Sequence, residues 1–333
     1  MLYFYKDSPL EYSTQYAVVE EVQHMANPGI ARDGFAKFNR ISMPANLLFS
    51  ALFIVLALVC VVPVVFVAII SLSSDDSIQK IGYSFVPLKW SFTAYSYLWN
   101  QRNTVVQAFL VSVFVTIAGT GIGLLLNATM GYVLSRPGFR LRRFYTLLIF
   151  IPMLFGGGLV ASYMINTQVL MLRNTYWALL LPVAVSSFYI IILRTFFQTT
   201  VPDSVIESAK IDGAMQIRIF CQIVLPISLP ALATIGLFLS FRYWNEWFSA
   251  MLYIQSDHIS MYPLQFVLIN IQKNFEFLTR NAQFMGVDAS VSRLPAEAMR
   301  MALVIVVVLP IACSYPFFQK YFITGLTIGA VKG

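Results

Sequence analysis

The sequence predicts an all-α polytopic membrane protein with six spans, and three observations carry that prediction. Only 11% of the 333 residues are charged, where a soluble domain carries about a quarter. The apolar residues are gathered into long blocks. Arginine and lysine, by contrast, concentrate in short segments between the blocks. The blocks Leu47 to Ile70, Val105 to Leu134, Tyr145 to Ile165, Tyr176 to Leu193 and Met301 to Phe318 contain no charge. A sixth, Ala231 to Ile254, contains Arg242 and Glu246. A helix needs about 20 apolar residues to cross the roughly 30 Å hydrocarbon layer, so each block is near or above that length.

Residues 1–46 are of mixed polarity, and Asn27-Pro28-Gly29 interrupts any continuous helix there, so the first block reads as a retained span preceded by a polar tail. The connection between the second and third spans holds Arg136, Arg140, Arg142 and Arg143 and no acid. Short basic loops stay in the cytoplasm. Counting from this loop places both termini inside, together with the connection between the fourth and fifth spans. The long connections Ser71 to Thr104 and Gln255 to Arg300 then face outward. The net charge of +7 is explained by these loops, without nucleic acid as a partner. Cys60, Cys221 and Cys313 have no paired spacing, and with only His24 and His258 beside them no metal centre is expected.

In the first outer connection, Tyr83, Phe85, Trp90, Phe92, Tyr95, Tyr97 and Trp99 form either an interfacial aromatic belt or part of a docking surface for an external partner. Gly119, Gly121 and Gly123 include a G-x-x-x-G spacing that lets helices approach closely. Gly156-Gly157-Gly158, after Pro152, marks either a bend or a close packing point in the third span.

The inner connection between the fourth and fifth spans is the most informative. Ser204-Val-Ile-Glu207 has the spacing of a capping box, predicting a helix from about Val205. Gly213 is a natural helix stop. A second short helix is expected over Ala214 to Val224, with Ile217, Phe220, Cys221 and Val224 on one face, and Glu207 and Lys210 offer a weak i,i+3 pair. Pro226 and Pro230 bracket the start of the fifth span. This element is either an amphipathic loop on the membrane surface or a rigid knob inserted into a partner.

Glu207-Ser208-Ala209, three residues, Gly213, nine residues and Ile223-Val-Leu225-Pro226 resemble the EAA loop of ABC importer permeases, with Ser208 where that family usually has alanine. Asp212-Gly213-Ala214 is similar to the carbohydrate-importer branch. So are the tail 319–333, including Gln319, Lys320, Gly329 and Lys332, together with Gly157-Gly158, Asn174-Thr175 and Tyr243-Trp-Asn-Glu-Trp-Phe248. The resemblance runs from about Leu47 to Gly333 and implies a type I ABC importer permease: a transmembrane domain 47–333, with a coupling loop 199–230 and a cytoplasmic tail 319–333 that reaches toward the ATPase. It further implies a prokaryotic cytoplasmic membrane, a second homologous permease, two cytoplasmic ATPase subunits that bind ATP and Mg, an extracytoplasmic solute-binding protein, surrounding lipid, and a carbohydrate substrate. Glu207, Ser208, Ala209, Asp212, Gly213, Ala214, Ile223, Leu225 and Pro226 are the expected ATPase-coupling residues.

The polar cluster Arg242 to Trp247 lies roughly 25 Å along the fifth span at about 1.5 Å per residue. Arg242 and Glu246, four apart, are expected to share a helical face and pair. The cluster is either a polar clamp between helices or the lining of a pathway. Tyr163, Asn166, Arg242, Tyr243, Trp244, Asn245, Glu246 and Trp247 are the candidate pathway residues. The chain lacks a Gly-rich loop ending in Lys-Ser or Lys-Thr, so it is expected to be non-catalytic. The rival readings are a stand-alone secondary transporter coupling ions through Arg242 and Glu246, and an intramembrane enzyme, for which no nucleophile and base are in evidence.

Overall fold

The first apolar block forms α1, Met43–Ser71, 29 residues long with Pro63 inside it. In the computed structural model the described residues are 43–281 and 296–330, so the Asn27-Pro28-Gly29 break and Lys332 lie outside them. The chain divides into two compact units, Met1–Val64 and Val65–Gly333. In the described part of the first unit, the large apolar side chains of α1 are exposed, among them Leu47, Phe53 and Val59. That is the surface a lipid-facing helix presents.

In the second unit, α2 (Asp75–Ile81) and α3 (Thr93–Asn100) lie in the first long connection. Ser74 caps α2 by accepting from the Ser77 amide, and an isolated bridge joins Ser73 to Trp90. Then comes α4, Arg102–Ser135. The third block is broken into α5 (Arg142–Leu154) and α6 (Leu159–Met164), the latter running into a π turn at Ile165–Val169. Its halves differ in direction by 117°. Of the two readings of the glycine run, the bend holds: a Cβ on Gly156, Gly157 or Gly158 would meet nothing, and Gly158 has φ +78°. The fourth block is α7 (Tyr176–Ala184) and α8 (Ser187–Thr200), bent by 52°.

Next follow α9 (Asp203–Ile211), α10 (Gln216–Ile219) with a π turn at Phe220–Val224, α11 (Leu225–Ile227) and α12 (Leu229–Trp244). The segment Gln216–Ile227 turns 84° into α12. Pro226 and Pro230 sit in the first turns of α11 and α12, where a missing N–H costs least. The chain continues through α13 (Phe248–Tyr253), a 3₁₀ turn at Ser256–Met261, α14 (Leu264–Asn281) and α15 (Ala296–Ala330). Among the described residues two helices, α1 and α4, are long and apolar enough to cross a membrane alone, and the three bent pairs raise that number to five. The block nearest the C-terminus, Met301 to Phe318, lies within α15.

Helix α4 is central, packing on α12, α8, α7 and α14. The glycine spacing permits this. A Cβ on Gly119 would lie 2.5 Å from the Tyr243 ring, and one on Gly123 would lie 2.9 Å from the Ala184 carbonyl oxygen. Asn127, wholly buried one turn beyond Gly123, then closes the break between α7 and α8. Its Nδ2 donates to the Ala184 and Gly123 carbonyls at 2.8 and 2.6 Å, and its Oδ1 accepts from the Ser186 amide at 3.0 Å. A bend in an apolar layer frees backbone groups that water cannot satisfy, and one amide side chain serves two of them. Much of the second long connection is α14. Its Leu264, Val267, Leu268 and Phe275 are buried, the three-and-four spacing of a packed helix face.

Candidate functional site

The helix–turn–helix between the fourth and fifth spans begins two residues earlier than its sequence suggests, at Asp203 rather than Val205. Pro202, with φ −62° and ψ 136°, is the N-cap of α9 and makes no side-chain cap bond. Ser204 therefore lies inside the helix, where its carbonyl accepts from the Ser208 hydroxyl at 2.9 Å. The capping box between Ser204 and Glu207 does not form, because the fixed φ of proline sets the first turn instead. Nor do Glu207 and Lys210 pair; both are exposed.

The stop at Gly213 forms as expected. Its φ is +79°, its amide bonds the Lys210 carbonyl at 3.0 Å, and the Ala214 amide reaches back to the Ala209 carbonyl at 2.9 Å. These two bonds define a Schellman motif. Nothing lies within 4 Å of a Cβ added to Gly213, so backbone conformation rather than packing calls for glycine here.

The buried face of the second helix is Ile219, Phe220 and Val224, whereas Ile217 and Cys221 are exposed. The expected face was that of a regular α-helix. The π turn, closed by the Leu225 amide on the Phe220 carbonyl, rotates the register just before Pro226, which removes a donor from the α ladder. Ile206 and Ala209 anchor α9 inward, Ile223 and Leu225 are half-buried, and Pro226 is exposed. Around the turn, Ile211, Met215 and Ile217 are 87%, 80% and 78% exposed. They stand beside the exposed Glu207, Ser208, Asp212 and Gly213. An apolar tip with a charged margin is the anatomy of an interface.

The segment lies against the arginine-rich connection. Arg136 pairs with Asp203 at 3.1 Å, donates to the Phe197 carbonyl at 3.2 Å and sits over the Tyr132 ring at 5.2 Å. Tyr132 donates to Gln216 at 3.2 Å and packs on Phe220. One end of α4 thus holds both arms of the helix–turn–helix. Sequence reading missed Tyr132, Arg136 and Asp203 in this role; Arg136 carried only a loop-charge signal.

The polar cluster of the fifth span is not a single helical face. Helix α12 ends at Trp244, and Glu246 accepts from the Ser249 amide and hydroxyl at 2.8 and 3.1 Å, capping α13. Arg242 and Glu246 therefore do not pair. Tyr243 is buried under Gly119, with its hydroxyl donating to the Leu180 carbonyl at 2.7 Å, and so acts as a clamp. The Trp244 indole N–H donates to the Val307 carbonyl at 3.3 Å, while its ring lines a cavity of about 590 Å³ with Phe109, Thr116, Thr120 and Ser240. Thr116 and Thr120 turn buried, unpartnered hydroxyls toward this region. Asn245 is exposed and accepts from Gln265 at 3.1 Å; both line a second cavity of about 270 Å³ with Gln272 and Arg300. Arg300 is ion-paired to Glu276 and Glu297. Trp247 stacks edge-on against Phe248.

Tyr163 and Asn166 gather on a residue that sequence reading overlooked, Tyr253. The Tyr163 ring stacks on it at 6.0 Å and Asn166 donates to its hydroxyl at 3.1 Å. Asn174, at φ +56°, is locked to Gln255 by two bonds of 2.7 and 2.8 Å. Gln319, Lys320 and Gly329 fall within α15, whose backbone is helical through Ala330.

Residues 119–328 match the family model described as the binding-protein-dependent transport system inner membrane component. The chain is 36% identical over 288 residues to the polygalacturonan/rhamnogalacturonan transport system permease protein YtcP of Bacillus subtilis (strain 168), covering 86% of this chain and 98% of that protein. It is 34% identical to protein LplC of the same organism, over 83% of this chain and 90% of the relative. A chain in the crystal structure of a bacterial ABC transporter that imports the acidic polysaccharide alginate superposes with a TM-score of 0.69. The two share 28% identity, over 83% of this chain and 96% of that one. The fold and the bent helix pairs agree with these matches: the chain belongs to the family of binding-protein-dependent transport system inner membrane components and is an ABC transporter permease.

Proposed function

We propose that this chain is one of two permeases in an ATP-driven importer of oligosaccharides made of acidic sugars, and that Asp203 to Ser228 is the element that docks on the ATPase. The observation that carries the docking assignment is the exposed tip Ile211–Met215–Ile217, fixed by the Gly213 turn and followed by Gln216–Ile227, which turns 84° into α12. Burying an isoleucine or methionine stabilises by about 1.5–3 kcal/mol, so a tip of three is a sizeable anchor. Support for the acidic-sugar reading comes from the names of the relatives, since galacturonan and alginate are both built of uronic acids.

The mechanism follows from the connections of the segment. ATP and Mg, bound by the ATPase pair, supply closure of that pair. In this chain, Glu207 and Asp212 meet the partner, the Schellman turn keeps α9 and α10 at a fixed angle, and Arg136 and Tyr132 pass the displacement to α4. Helix α12 turns with the segment. The gathering of Asn245, Gln265 and Gln272 offers hydrogen bonds for sugar hydroxyls. Both termini and the coupling segment face the cytoplasm in this reading, with the external binding protein on the opposite side.

The stand-alone transporter reading needs Arg242 and Glu246 to act together, and Glu246 is committed to capping α13. The test is Glu207→Ala in the assembled transporter, with ATPase copurification and transport measured together. A loss of either supports the docking assignment; wild-type values of both would refute it.

A further inference from the structure

A second polar site lies beyond the coupling segment. A cavity of about 450 Å³ between the start of α5 and the middle of α8 is lined by Arg142, Arg143, Thr146, Leu147, Phe150 and Arg194. Three arginines line it, and no carboxylate is among the lining residues. Arg142 acts on Arg194 as a like charge. Such a cluster is electrostatically unfavourable unless an anion joins it.

Three further features point the same way. The cavity sits at the amino end of α5, a 13-residue helix with no side-chain cap and no acid in its first turn. That end carries the positive pole of the helix dipole and free backbone N–H groups. The Thr146 hydroxyl and Arg194 Nε are both shielded from solvent and lack a hydrogen-bond partner. Buried donors of this kind ordinarily have an acceptor. Finally, the wall is amphipathic: Leu147, 63% exposed, and Phe150 continue from the arginines along α5 into the apolar block.

We propose that this cavity binds the phosphodiester headgroup of an anionic glycerophospholipid, with the arginines and Thr146 on the phosphate and with Leu147 and Phe150 against the glycerol and upper acyl chain. A soluble phosphate would satisfy the cations but leave the apolar wall without a partner, and this favours the lipid. The site joins α5 to α8, the helix whose Phe197 carbonyl Arg136 holds, so an occupying lipid would brace α5 against the helix that leads into the proposed coupling segment.

The test uses the complete transporter in nanodiscs of phosphatidylcholine containing trace nitroxide-labelled phosphatidylglycerol. The immobilised fraction of the label is read by electron paramagnetic resonance. The wild type should hold phosphatidylglycerol in preference to labelled phosphatidylcholine. Arg142→Gln and Arg194→Gln should each lower that preference about fivefold, the factor expected for one basic residue at an anionic surface. Arg194→Lys should restore most of it, while Arg140→Gln, outside the cavity, should leave it unchanged. Size-exclusion elution of each assembled variant guards against misfolding. Equal loss in Arg140→Gln, or no preference in the wild type, would overturn the site. Displacement of the label by excess inorganic phosphate would overturn the lipid in favour of a soluble anion. Neither readout depends on sugar transport, so a failure of the importer reading is distinguishable from a failure here.

Discussion

Replacing Gly213 separates backbone conformation from packing as the reason for glycine at the turn between α9 and α10, the proposed docking element. At φ +79° an L-residue incurs about 1–2 kcal/mol of left-handed strain. A Cβ there meets nothing within 4 Å, so steric cost adds nothing to that figure. Gly213→Ala should therefore weaken ATPase docking by roughly five- to thirtyfold, at tenfold per 1.4 kcal/mol. The turn would relax only by breaking the Gly213 and Ala214 bonds to Lys210 and Ala209. Asparagine is larger than alanine but tolerates the left-handed region better. Gly213→Asn should then lose less than Gly213→Ala. The measurement is the equilibrium affinity of the detergent-solubilised permease pair for its ATPase, with thermal melting of the pair as a control expected to move little. If affinity falls in order of side-chain size, with asparagine worse than alanine, packing against the partner governs the position and the conformational account is wrong.

Three other outcomes follow from the contacts. Arg136→Gln should uncouple the transporter, raising ATP hydrolysed per sugar moved, because Asp203 loses its ion pair and the Phe197 carbonyl its donor; an unchanged ratio in proteoliposomes would remove Arg136 from the transmission path. Asn127→Ala leaves the Ala184 carbonyl and Ser186 amide unpaired in an apolar layer, a loss of about 2–5 kcal/mol that denaturant unfolding in micelles should register, whereas a neutral effect would mean water reaches the break. Tyr83 donates to Glu297 at 2.8 Å. That bond, then burial, raises its phenol above the ordinary tyrosine range. The interaction is fully present below the ordinary tyrosine pKa and is lost as pH rises through the raised value. The phenolate absorbance assigned by difference against Tyr83→Phe should accordingly emerge at higher pH than for a free tyrosine and move down in Glu297→Gln.

What was legible in the sequence is what depends on local chemistry. The uncharged blocks, the Gly213 stop, the Pro226 and Pro230 turns and the close approach at Gly119 and Gly123 each follow from one residue's own steric or solvation properties. What was illegible depends on distant partners. Ser204-x-x-Glu207 satisfies the spacing of a capping box, but Pro202 and the Asp203–Arg136 pair shift the first turn. Arg242 and Glu246 satisfy i,i+4 spacing, but the helix ends between them. Asn127 was one of two amides in an apolar block, and only the position of the α7–α8 break gives it a purpose. Helix α14 was legible in principle from the three-and-four spacing of its buried Leu264, Val267, Leu268 and Phe275.

The bends of the second unit differ in what resists them, and this determines how far a push on the coupling segment travels. At the α7–α8 break, Asn127 bonds both sides from α4, and Gly123 admits the Ala184 carbonyl against α4. Changing that angle breaks buried hydrogen bonds at about 1–3 kcal/mol each. At the Gly156–Gly158 turn no neighbour stands within 4 Å of an added Cβ, and glycine moves between backbone regions at little cost. The coupling segment is fastened to α4 by Arg136 and Tyr132 and buries Ile206 and Ile219 inward. A displacement imposed there must carry α4, α7 and α8 together as one body, while α5 and α6 pivot about the glycines. Amide hydrogen exchange during ATP turnover would distinguish this from a hinge at the α7–α8 break: protection should fall on either side of Gly156–Gly158 and hold at Ser186, and the reverse pattern would place the hinge where Asn127 now stands guard.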